Sequence, residues 1–599
     1  MQTQLRYWEY YGMTETFDSL YEDSKEGKSF NRLYDIITSR ENILLAYQTI
    51  KTNKGSKTPG MDKRTIDDFR KFSEEQLVAF IQKRLENYQP MKVKRVFIPK
   101  PSGDKRPLGI PSMSDRIIQQ AFKQVLEPIC EARFYNHSYG FRPLRSTHHA
   151  IARVNYLINK SELHYVVDID IKGFFDNVNH SLLIKQLWNI GIRDRKVLRI
   201  ISKMLKAEIA GEGIPSKGTP QGGILSPLLS NVVLNDLDQW VAGQWENFQS
   251  NYEYAAKYVK YKQLKQTNLK EGFIVRYADD FKILCRDWKT AQRWYHAVRL
   301  YLKDRLKLDI SPEKSKVINL RKNKSDFLGF TIKAKRNGNK RVAISNITSK
   351  KQRQYVQEGK NRIKQIHKSP TAKNVILYNS WVLGIQNYSK GATHVYHDFK
   401  KIAWCLRELQ NNRLGRIGRY ECPMDPPQSY KRFYKNKYKT YKICGMYLFP
   451  LADIRHKSIM SFSQWHTPFT CKGRNHIFKT LSSDIAYEIK KLMESSIPNR
   501  SVEYFDNRIS RYSMRKGKCE ITGEFIPAEF VHCHHYKPIN LGGTDEFRNL
   551  RILHKYIHVL VHASDTQTIF KYLKILNLDD IAIKKINEYR KKCNLEPIN

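Results

Sequence analysis

The chain has 599 residues, of which 105 are Lys or Arg and 58 are Asp or Glu, so its formal net charge is +47. A surplus of this size indicates a polyanionic partner, and nucleic acid is a better candidate than an anionic membrane surface because no amphipathic anchor or lipidation motif stands out. Hydrophobic residues make up 41% of the sequence, which excludes a wholly disordered chain. No apolar run reaches the ~18 residues of a membrane-spanning helix, so we expect no membrane partner.

The nine cysteines are scattered along the chain without a CxxC pair. This pattern predicts reduced thiols in a cytosolic protein. Residues 1–12 are aromatic and mixed in charge, and they lack the apolar core of a secretory signal. We therefore expect a cytoplasmic protein, in the bacterial cytosol or nucleoid, that is not secreted.

Five regions follow one another along the chain. They are a polar helical lead-in at 1–45, a mixed region at 46–335, a helical region at 336–425, a basic aromatic region at 426–505, and a His- and Cys-bearing region with a helical tail at 506–599. β-Branched and aromatic residues predict strands in the mixed region, at 95–99, 165–169, 273–277 and 281–285. The polar residues 241–272 are predicted to be an insertion, and 333–341 a basic hairpin or linker.

Two sets of acids follow or lie within these predicted strands: Asp168 and Asp170 in VVDIDIKGFFD, and Asp279 and Asp280 in YADD. Adjacent acids beside apolar residues are costly if they are buried without a partner. A divalent cation removes that cost, because Mg²⁺ takes oxygen ligands from carboxylates and substrate phosphates. Two such ions, about 3.5–4 Å apart, activate a 3′-hydroxyl and stabilise the leaving pyrophosphate. One Asp-Asp pair alone would equally indicate a turn.

The surrounding motifs decide between these two interpretations. In chain order they are IPKPSGDKRPLGIP (98–111), HSYGFRPLRS (137–146), DIKGFFD (170–176), GTPQGGILSP (218–227), YADD (277–280), SPEKSK (311–316) and FLGF (327–330). Together they resemble the polymerase motifs of reverse transcriptases, and the first two narrow the resemblance to group II intron-encoded reverse transcriptases, also called maturases. The resemblance implies an α+β, right-hand polymerase fold with fingers, an antiparallel palm sheet and an α-helical thumb.

The resemblance also assigns roles to residues. Asp170, Asp279 and Asp280 would ligate two Mg²⁺ ions, with the Ile171 carbonyl as a further ligand. Phe175 would be the steric gate that clashes with a ribose 2′-hydroxyl. Contacts with the incoming dNTP are implied for Lys100, Arg106, Arg142 and Gln221, and a proton donor to pyrophosphate for Lys314. The ordinary alternatives are a core ring for Phe175, a solvated charge for each cation and a helix cap for Lys314. Asp168 is expected to be secondary or structural, and FLGF to be the primer grip.

The helical region resembles the family's thumb, called domain X, through YNSW (378–381) and GIQNY (384–388). In the family this domain and the N-terminal lead-in hold structured intron RNA. The string YKRFYKNKYKTYK (430–442) alternates aromatics with cations, which suits stacking on bases and neutralising phosphates, although a solvated charged strand is the alternative. By position it corresponds to the family's DNA-binding region. The candidate contacts are Lys431, Arg432, Tyr434, Lys435, Lys437, Tyr438 and Lys439.

The string VHCHHYKPINLGGTDEFRNLRILHKYIHVLVH (531–562) resembles an HNH endonuclease of the ββα-metal type. His558 and His562 are four residues apart and share one helix face, as metal ligation requires. The resemblance implies that His534 and His558, with His562 as a further ligand, bind one divalent ion. Neutral His535 would take a proton from water. Asn549 would hold that imidazole through a backbone contact.

Family members usually add a zinc site built from two Cys pairs. Here Cys519 is present, but Thr522 stands in the second position, and His554 and Ile557 stand in the distal pair. A structural zinc ion needs four ligands. The set is incomplete even if Cys533 contributes, so structural zinc is doubtful.

The sequence therefore predicts a group II intron-encoded protein that copies RNA into DNA, assists the splicing of its intron RNA and nicks target DNA to prime copying. The expected partners are the cognate intron lariat, target-site DNA and dNTPs, and the oligomeric state is left open. Three alternatives remain: a reverse transcriptase of a phage-defence or diversity-generating system, a binding-only maturase, and a DNA nuclease acting alone. The HNH string and the thumb signature argue against the first, and the intact acids against the second.

Overall fold

The computed structural model describes residues 2–51, 53–69, 71–99, 105–220, 222–424, 426–436, 438–481, 486–495, 497, 502–576 and 578–598. Its N-terminal part consists of helices around one long buried helix, α7, and a β-hairpin. The elements are α1 (Gln2–Tyr10), α2 (Thr14–Lys25), α3 (Leu33–Ile37), α4 (Arg40–Lys51), α5 (Ile66–Phe69), α6 (Glu74–Glu86), β1 (Lys94–Pro99), β2 (Lys105–Ile110), α7 (Met113–Arg133) and α8 (Thr147–Asn159).

The predicted lead-in at 1–45 is helical, and it packs into the core. Helices α2 and α4 lie against α7. The Ser24 hydroxyl donates to the Ile129 carbonyl at 2.8 Å, and the Asn42 side chain donates to the Ala121 carbonyl at 3.1 Å. Trp8 is buried and stacks on a residue far along the chain, Phe469. The N-terminal helices are thus fixed to both the N-terminal core and the region after 426.

The middle of the chain is built on a four-stranded antiparallel sheet in the order β4-β5-β3-β6. Its elements and the helices around it are β3 (Tyr165–Ile169), α9 (Phe174–Asn177), α10 (His180–Ile190), α11 (Arg195–Leu205), α12 (Ser226–Gly243), α13 (Lys257–Leu264), β4 (Phe273–Tyr277), β5 (Asp280–Cys285), α14 (Trp288–Asp304) and β6 (Lys316–Asn319). The antiparallel sheet confirms the sequence prediction.

Alternation along the strands explains why this sheet is buried on both faces. Val166 points into one hydrophobic core, and its neighbours Val167 and Ile169 belong to the core on the opposite face. Strands β4 and β5 divide in the same way. The sheet is therefore a rigid platform, and side chains at its strand ends are held in fixed positions.

Two hairpins and three helices follow the sheet. They are β7 (Ser325–Phe327), β8 (Phe330–Asn337), β9 (Lys340–Ile347), α15 (Ser349–Lys368), α16 (Ala372–Ser389) and α17 (Val395–Leu414). The turn between β8 and β9 contains Gly338 with φ +59°, so the basic segment 333–341 is a hairpin. Helix α16 is mostly buried, because α15 and the later helix Ala486–Glu494 pack against it.

The remaining elements are β10 (Arg419–Glu421), α18 (Gln428–Phe433), β11 (Thr440–Ile443), β12 (Met446–Tyr447), α19 (Cys471–Leu481), α20 (Ala486–Glu494), α21 (Val502–Met514), β13 (Val531–His535), β14 (Leu550–His554), α22 (Lys555–His562), α23 (Thr566–Leu576) and α24 (Asp580–Lys592). Strands β13 and β14 form an antiparallel hairpin that leads directly into α22. This is the ββα order that the sequence predicts for 531–562. No helix among the described residues is both long enough and apolar enough to span a membrane.

The structure corrects one part of the aromatic prediction for 430–442. Tyr434 is buried, and its hydroxyl donates to the Gln386 side chain of α16 at 2.8 Å. Tyr430 is buried beside it, with ring centroids 5.2 Å apart. Tyr434 is therefore a packing residue that docks this segment on α16, and the expectation that it stacks on a nucleic-acid base is wrong.

Candidate active site

Three carboxylates meet at one end of the central sheet. Asp170 directly follows β3, and the β3–β5 register pairs Ile169 with Phe281, so Asp170 lies beside Asp280. Asp280 is the first residue of β5, and it pairs with Tyr277 across the hairpin that holds Asp279 in its turn. The preceding turn residue, Ala278, has φ +58°. This left-handed conformation is unfavourable for alanine and is held by the surrounding structure.

The electrostatics of the cluster favour a cation. Burial raises the pKa of Asp280 to about 6, the carboxylates of Asp168, Asp279 and Asp170 reinforce the rise, and Lys282 opposes it. Burial also raises the pKa of Asp279, with a further contribution from Asp170. Acids that repel one another in a partly buried site are stabilised by a divalent cation. The donor set, carboxylates with an adjacent backbone carbonyl at Ile171, is the type that Mg²⁺ prefers.

A fully buried ion pair holds the hairpin turn. The Arg276 guanidinium donates to both Asp238 carboxylate oxygens at 2.6–2.9 Å, and neither side chain is exposed to solvent. The same guanidinium donates to the Asn231 side chain and to the Ala278 carbonyl, at 2.9 and 2.8 Å. A methyl group on Gly140 would lie 2.3 Å from the Ala278 nitrogen, so only glycine fits there. The position of Asp279 thus depends on Arg276 of its own hairpin and on residues from two other segments, α12 and the segment around Gly140.

A second ion pair, between a buried lysine and a half-buried aspartate, lies next to the cluster. Lys282 is 1% exposed, and its ammonium group lies 2.8 Å from the Asp168 carboxylate. The two residues face each other across β3 and β5. Lys282 also lies 5.2 Å from the centre of the Phe327 ring. Asp168 therefore pairs with a lysine, and Lys282 is a site residue that the sequence reasoning missed.

The SPEKSK segment packs against Asp170. The Asp170 N–H donates to the Ser315 hydroxyl at 3.1 Å, and its carbonyl accepts from the Ser311 N–H at 2.8 Å. The Lys314 ammonium lies 3.6 Å from the Asp170 carboxylate, and both side chains are at least half exposed. Ile171 is buried and bridges Ile310 of the neighbouring segment. The structure thus brings Lys314 to the carboxylate cluster.

The GTPQGG loop is joined to the turn that carries Phe175. The Thr219 N–H donates to the Phe175 carbonyl at 2.7 Å. Phe174 is buried in the core, whereas Phe175 is half-buried, with the two ring centroids 5.3 Å apart. A methyl group on Gly222 would lie 2.5 Å from the carbonyl oxygen of Gly109 in β2, so the loop touches the β1–β2 hairpin. Phe175 is therefore the ring with a free face at this turn.

The structure describes only some of the residues that are predicted to contact the dNTP. Arg106 is exposed in β2, and its charge opposes the rise in the pKa of Asp279, so it lies near the carboxylates. Lys100 and Gln221 lie outside the described residues.

Arg142 differs from the prediction. Its side chain is 2% exposed and forms a double hydrogen bond with Glu131 at 2.8 Å. It also donates to the backbone carbonyls of Tyr135 and Ser138, at 2.6 and 2.9 Å. These partners occupy the guanidinium and remove it from solvent, so Arg142 fixes the SYGFRP segment to α7 and does not contact a triphosphate.

The FLGF turn between β7 and β8 is anchored by α16. Leu328 and Gly329 both have positive φ, +50° and +78°. The Tyr388 hydroxyl of α16 donates to the Leu328 carbonyl at 2.6 Å, and its ring stacks on Phe330 with centroids 5.6 Å apart. The Lys351 ammonium lies 3.5 Å from the centre of the Tyr388 ring. The predicted primer-grip turn and the predicted thumb signature are therefore in direct contact.

A second cluster lies in the ββα unit. His534 of β13 and His558 and His562 of α22 offer ligand nitrogens that all lie within 4.8 Å of one another. Burial and the neighbouring histidines lower the pKa of His534 to about 3, so its imidazole is neutral, the form that binds metals. The Nε2 atom of His534 is buried and has no hydrogen-bond partner. This donor set fits one divalent transition-metal ion.

The imidazole of His535 is held differently from the prediction. Its Nε2 lies 2.8 Å from the Asp545 carboxylate, and its ring stacks on Tyr504 at 5.4 Å. Asn549 instead closes the loop between the strands. Its side-chain oxygen accepts from the Lys537 N–H at 2.8 Å, and its side-chain nitrogen donates to the Lys537 carbonyl at 2.9 Å. Asp545 is a candidate site residue that the sequence reasoning missed, and its position in GGTDE, between His535 and Asn549, was the available signal.

Three of the residues considered for the zinc site are buried in the structure. Ile557 is fully buried in the hydrophobic core, and Cys519 and Cys533 are buried. Cys519 forms a tight turn in which its carbonyl accepts from the Gly523 N–H at 2.9 Å. Among the described residues, the cluster with metal-ligand spacing contains histidines alone.

An antiparallel sheet whose strand ends bring together three acids, with a lysine and a glycine-rich loop beside them, is the arrangement of a template-directed nucleic-acid polymerase. The family described as "Reverse transcriptase (RNA-dependent DNA polymerase)" matches residues 98–332. The Group II intron-encoded protein LtrA of Lactococcus lactis subsp. cremoris is 31% identical over 464 residues, which cover 65% of this chain and 76% of LtrA.

Two further relatives match large parts of the chain. Protein YkfC of Escherichia coli (strain K12) is 33% identical over 342 residues, which cover 54% of this chain and 89% of that protein. The Putative COX1/OXI3 intron 1 protein of Saccharomyces cerevisiae is 26% identical over 469 residues, 72% of this chain and 52% of that protein. The chain therefore belongs to the group II intron-encoded proteins, and within that family it is a reverse transcriptase and intron maturase.

Proposed function

We propose that this protein combines three activities of an intron-mobility cycle. It copies RNA into DNA, it helps its own intron RNA to fold and splice, and it nicks target DNA so that the new 3′-hydroxyl primes copying of the inserted intron. The observation that carries the proposal is the convergence of Asp170, Asp279 and Asp280 at one end of the central sheet.

In the polymerase site, Asp170, Asp279, Asp280 and the Ile171 carbonyl would hold two Mg²⁺ ions, which supply Lewis-acid stabilisation of the attacking and leaving oxygens. Lys314 lies close enough to Asp170 to reach a phosphate bound there, and it would give a proton to the leaving pyrophosphate. The half-buried Phe175 ring would exclude a ribose 2′-hydroxyl. Arg106 would neutralise triphosphate charge.

Primer extension on an RNA template with Mg²⁺ tests the polymerase roles. Asp170→Asn should abolish extension, because one ligand charge is lost with little change in shape. Lys314→Ala should slow the chemical step by about 10²-fold, the usual contribution of a general acid. Lys303→Ala, an exposed lysine on α14, is the matched control and should behave as the parent. Full activity of Asp170→Asn would refute the assignment of the cluster.

The maturase role predicts a specific RNA partner. When the protein is purified from its native host at high salt, one structured RNA in lariat form that contains this gene should remain bound. Sequencing of the bound RNA measures this directly. A broad mixture of RNAs, or a short unrelated RNA, would contradict an intron partner and favour a defence or diversity-generating reverse transcriptase.

For the nuclease, His534, His558 and His562 would hold one divalent ion, and His535 would take a proton from the attacking water while Asp545 orients its ring. His535→Ala should abolish nicking of the target strand and leave RNA-templated extension intact. His296→Ala, an exposed histidine on α14, is the matched control. Nicking by His535→Ala at the parental rate would refute this assignment.

Target DNA would be held by the exposed cations of the basic aromatic region. Lys431, Lys435 and Lys439 are exposed, Arg432 and Tyr438 are half-buried, and Lys437 lies outside the described residues. Arg432 donates to the Ser513 carbonyl at 2.6 Å, so part of its guanidinium is already engaged. Replacing the three exposed lysines with Glu should weaken DNA binding and reduce its dependence on salt. An unchanged salt dependence would place the DNA elsewhere.

A further inference from the structure

Four charged residues form two cross-strand pairs on one face of the central sheet. The register of β3 and β5 places Asp168 opposite Lys282, and two residues further along it brings Asp170 beside Asp280. Residues two apart on a strand share a face, so the two pairs are neighbours, roughly 7 Å apart along the strands. The next pair inward on this face is apolar and belongs to the hydrophobic core. The Asp168–Lys282 pair therefore lies between that core and the proposed Mg²⁺ site.

The Lys282 ammonium group has one partner of opposite charge. It lies 2.8 Å from the Asp168 carboxylate, and no other carboxylate among the described residues is within ion-pair distance of it. Lys282 is 1% exposed, so the ammonium group cannot turn to solvent instead. The Phe327 ring, whose centre lies 5.2 Å from the ammonium nitrogen, adds a favourable contact with the cation. A buried charge is stable only beside its partner, so Lys282 is held against Asp168.

An unpaired Asp168 would compete with the proposed site for divalent ions. Its side chain is 20% exposed, and it stands in the row of acids that continues to Asp170. A free carboxylate at this place would add a fourth hard oxygen ligand beside the three of the site, and it would draw a divalent ion away from them. We infer that Lys282 is a positioning residue of the polymerase site: its ammonium group neutralises Asp168 and thereby confines divalent cations to the other three carboxylates. The inference rests on the proposed function, because it concerns the metal site of that function.

Electron paramagnetic resonance of Mn²⁺ tests the inference on the full-length protein, because the signal of the free ion reports how much is bound. Lys282→Met should tighten Mn²⁺ binding about tenfold, since one added negative charge acts on a divalent ion at roughly 7 Å even through water. Asp168→Asn leaves the ammonium group unpaired and should weaken binding by a similar factor. A pair that only stabilised the fold would not shift the affinity in opposite directions. Mn²⁺ bound at the histidine cluster is common to all variants and cancels in the comparison.

The matched control is Lys316→Met. Lys316 faces Asp168 from β6, but its side chain is exposed, and the ion pair of Asp168 in the described structure is with Lys282. Its loss should change the Mn²⁺ affinity about twofold at most, because salt screens an exposed charge. The double variant Asp168→Asn/Lys282→Met is neutral like the parental pair and should return the parental affinity. If the two single variants shift the affinity in the same direction, or if neither shifts it, the inference is overturned.

Primer extension on an RNA template separates metal affinity from catalysis. Lys282→Met should reach its half-maximal rate at a lower Mg²⁺ concentration, yet its kcat should fall by about 10²-fold, the usual effect of a misplacement of roughly 1 Å. If this variant does not fold, as its melting temperature shows, Asp168→Asn and the double variant still decide. Extension by the parent protein is measured in the same preparation. Failure of that extension would refute the proposed function, whereas extension with the same Mn²⁺ affinity in every variant would refute this inference alone.

Discussion

The buried Arg276–Asp238 pair gives a sharp prediction about what holds the YADD turn. Asp238→Ala leaves a guanidinium that cannot lose its proton, with two remaining partners, Asn231 and the Ala278 carbonyl. Both members of the pair are fully buried. Breaking such a pair by removing one partner costs about 3–5 kcal/mol. At roughly 2–4 °C per kcal/mol for a domain of this size, the melting transition should fall by about 6–20 °C.

Removing the other partner should have a different pH dependence. In Arg276→Met the orphaned Asp238 can take up a proton, because burial already raises the pKa of this carboxyl and the opposing guanidinium is gone. A carboxyl whose folded-state pKa lies above its unfolded value stabilises the protein at low pH and loses that contribution as pH rises. The loss in free energy of unfolding caused by Arg276→Met should therefore be larger at pH 8 than at pH 6. The loss caused by Asp238→Ala should be the same at both pH values.

Differential scanning calorimetry at pH 6 and pH 8 measures both effects. The control is Asp35→Ala, which removes the exposed Arg32–Asp35 pair and should change the melting temperature little. Primer extension by Arg276→Met is measured in parallel, because this variant loses the bond to the Ala278 carbonyl, and that loss should displace Asp279. If Asp238→Ala melts within a degree or two of the parent, or if both variants show the same pH dependence, the reasoning about this pair is refuted.

Three other predictions concern single side chains. Phe175→Ala should raise incorporation of ribonucleotides, read as the ratio of kcat/KM for dCTP and CTP, whereas Phe174→Ala should lower the melting temperature because its ring is buried; an unchanged ratio would contradict the gate. Tyr388→Phe removes the bond to the Leu328 carbonyl and should raise the KM for primer–template. A KM equal to that of the parent would contradict this prediction. Arg142→Ala should lower the free energy of unfolding by about 3 kcal/mol, and the melting temperature should fall with it. If Arg142→Ala has the melting temperature of the parent and a higher KM for dNTP, Arg142 contacts the triphosphate as the sequence predicted.

The apolar pattern of the strands and the order of the motifs gave the most successful predictions of the fold. The apolar runs at 165–169 and 273–277 are strands with those same bounds. Their antiparallel order followed from the polymerase resemblance, whereas the sequence left 333–341 open as a basic hairpin or linker, and the strand pairing decides for the hairpin. Local composition was sufficient for these strands because side chains alternate between the two faces of a strand. When both faces of the sheet are buried, one strand register places the apolar side chains in both cores.

Side-chain partners could not be predicted in the same way. An arginine that binds phosphate and one that pairs with Glu131 look alike in HSYGFRPLRS, and only the packing of that segment on α7 separates them. The same holds for Tyr434, whose cation-rich surroundings suggested a stacking face while its ring packs against α16. Lys282 was visible as one cation in an apolar strand. Its pairing with Asp168 becomes apparent only when the strand register is known.

We propose that Asp170, Asp279 and Asp280 form the site of RNA-directed DNA synthesis. The most direct test of this proposal is Mg²⁺-dependent dNTP incorporation on an RNA template by the parent and by Asp279→Ala, with RNA affinity measured on the same samples. We expect the variant to lose incorporation and to retain nearly full RNA binding, because Asp279 lies in the turn of the β4–β5 hairpin and not in a hydrophobic core. Incorporation by Asp279→Ala at the parental rate would contradict it.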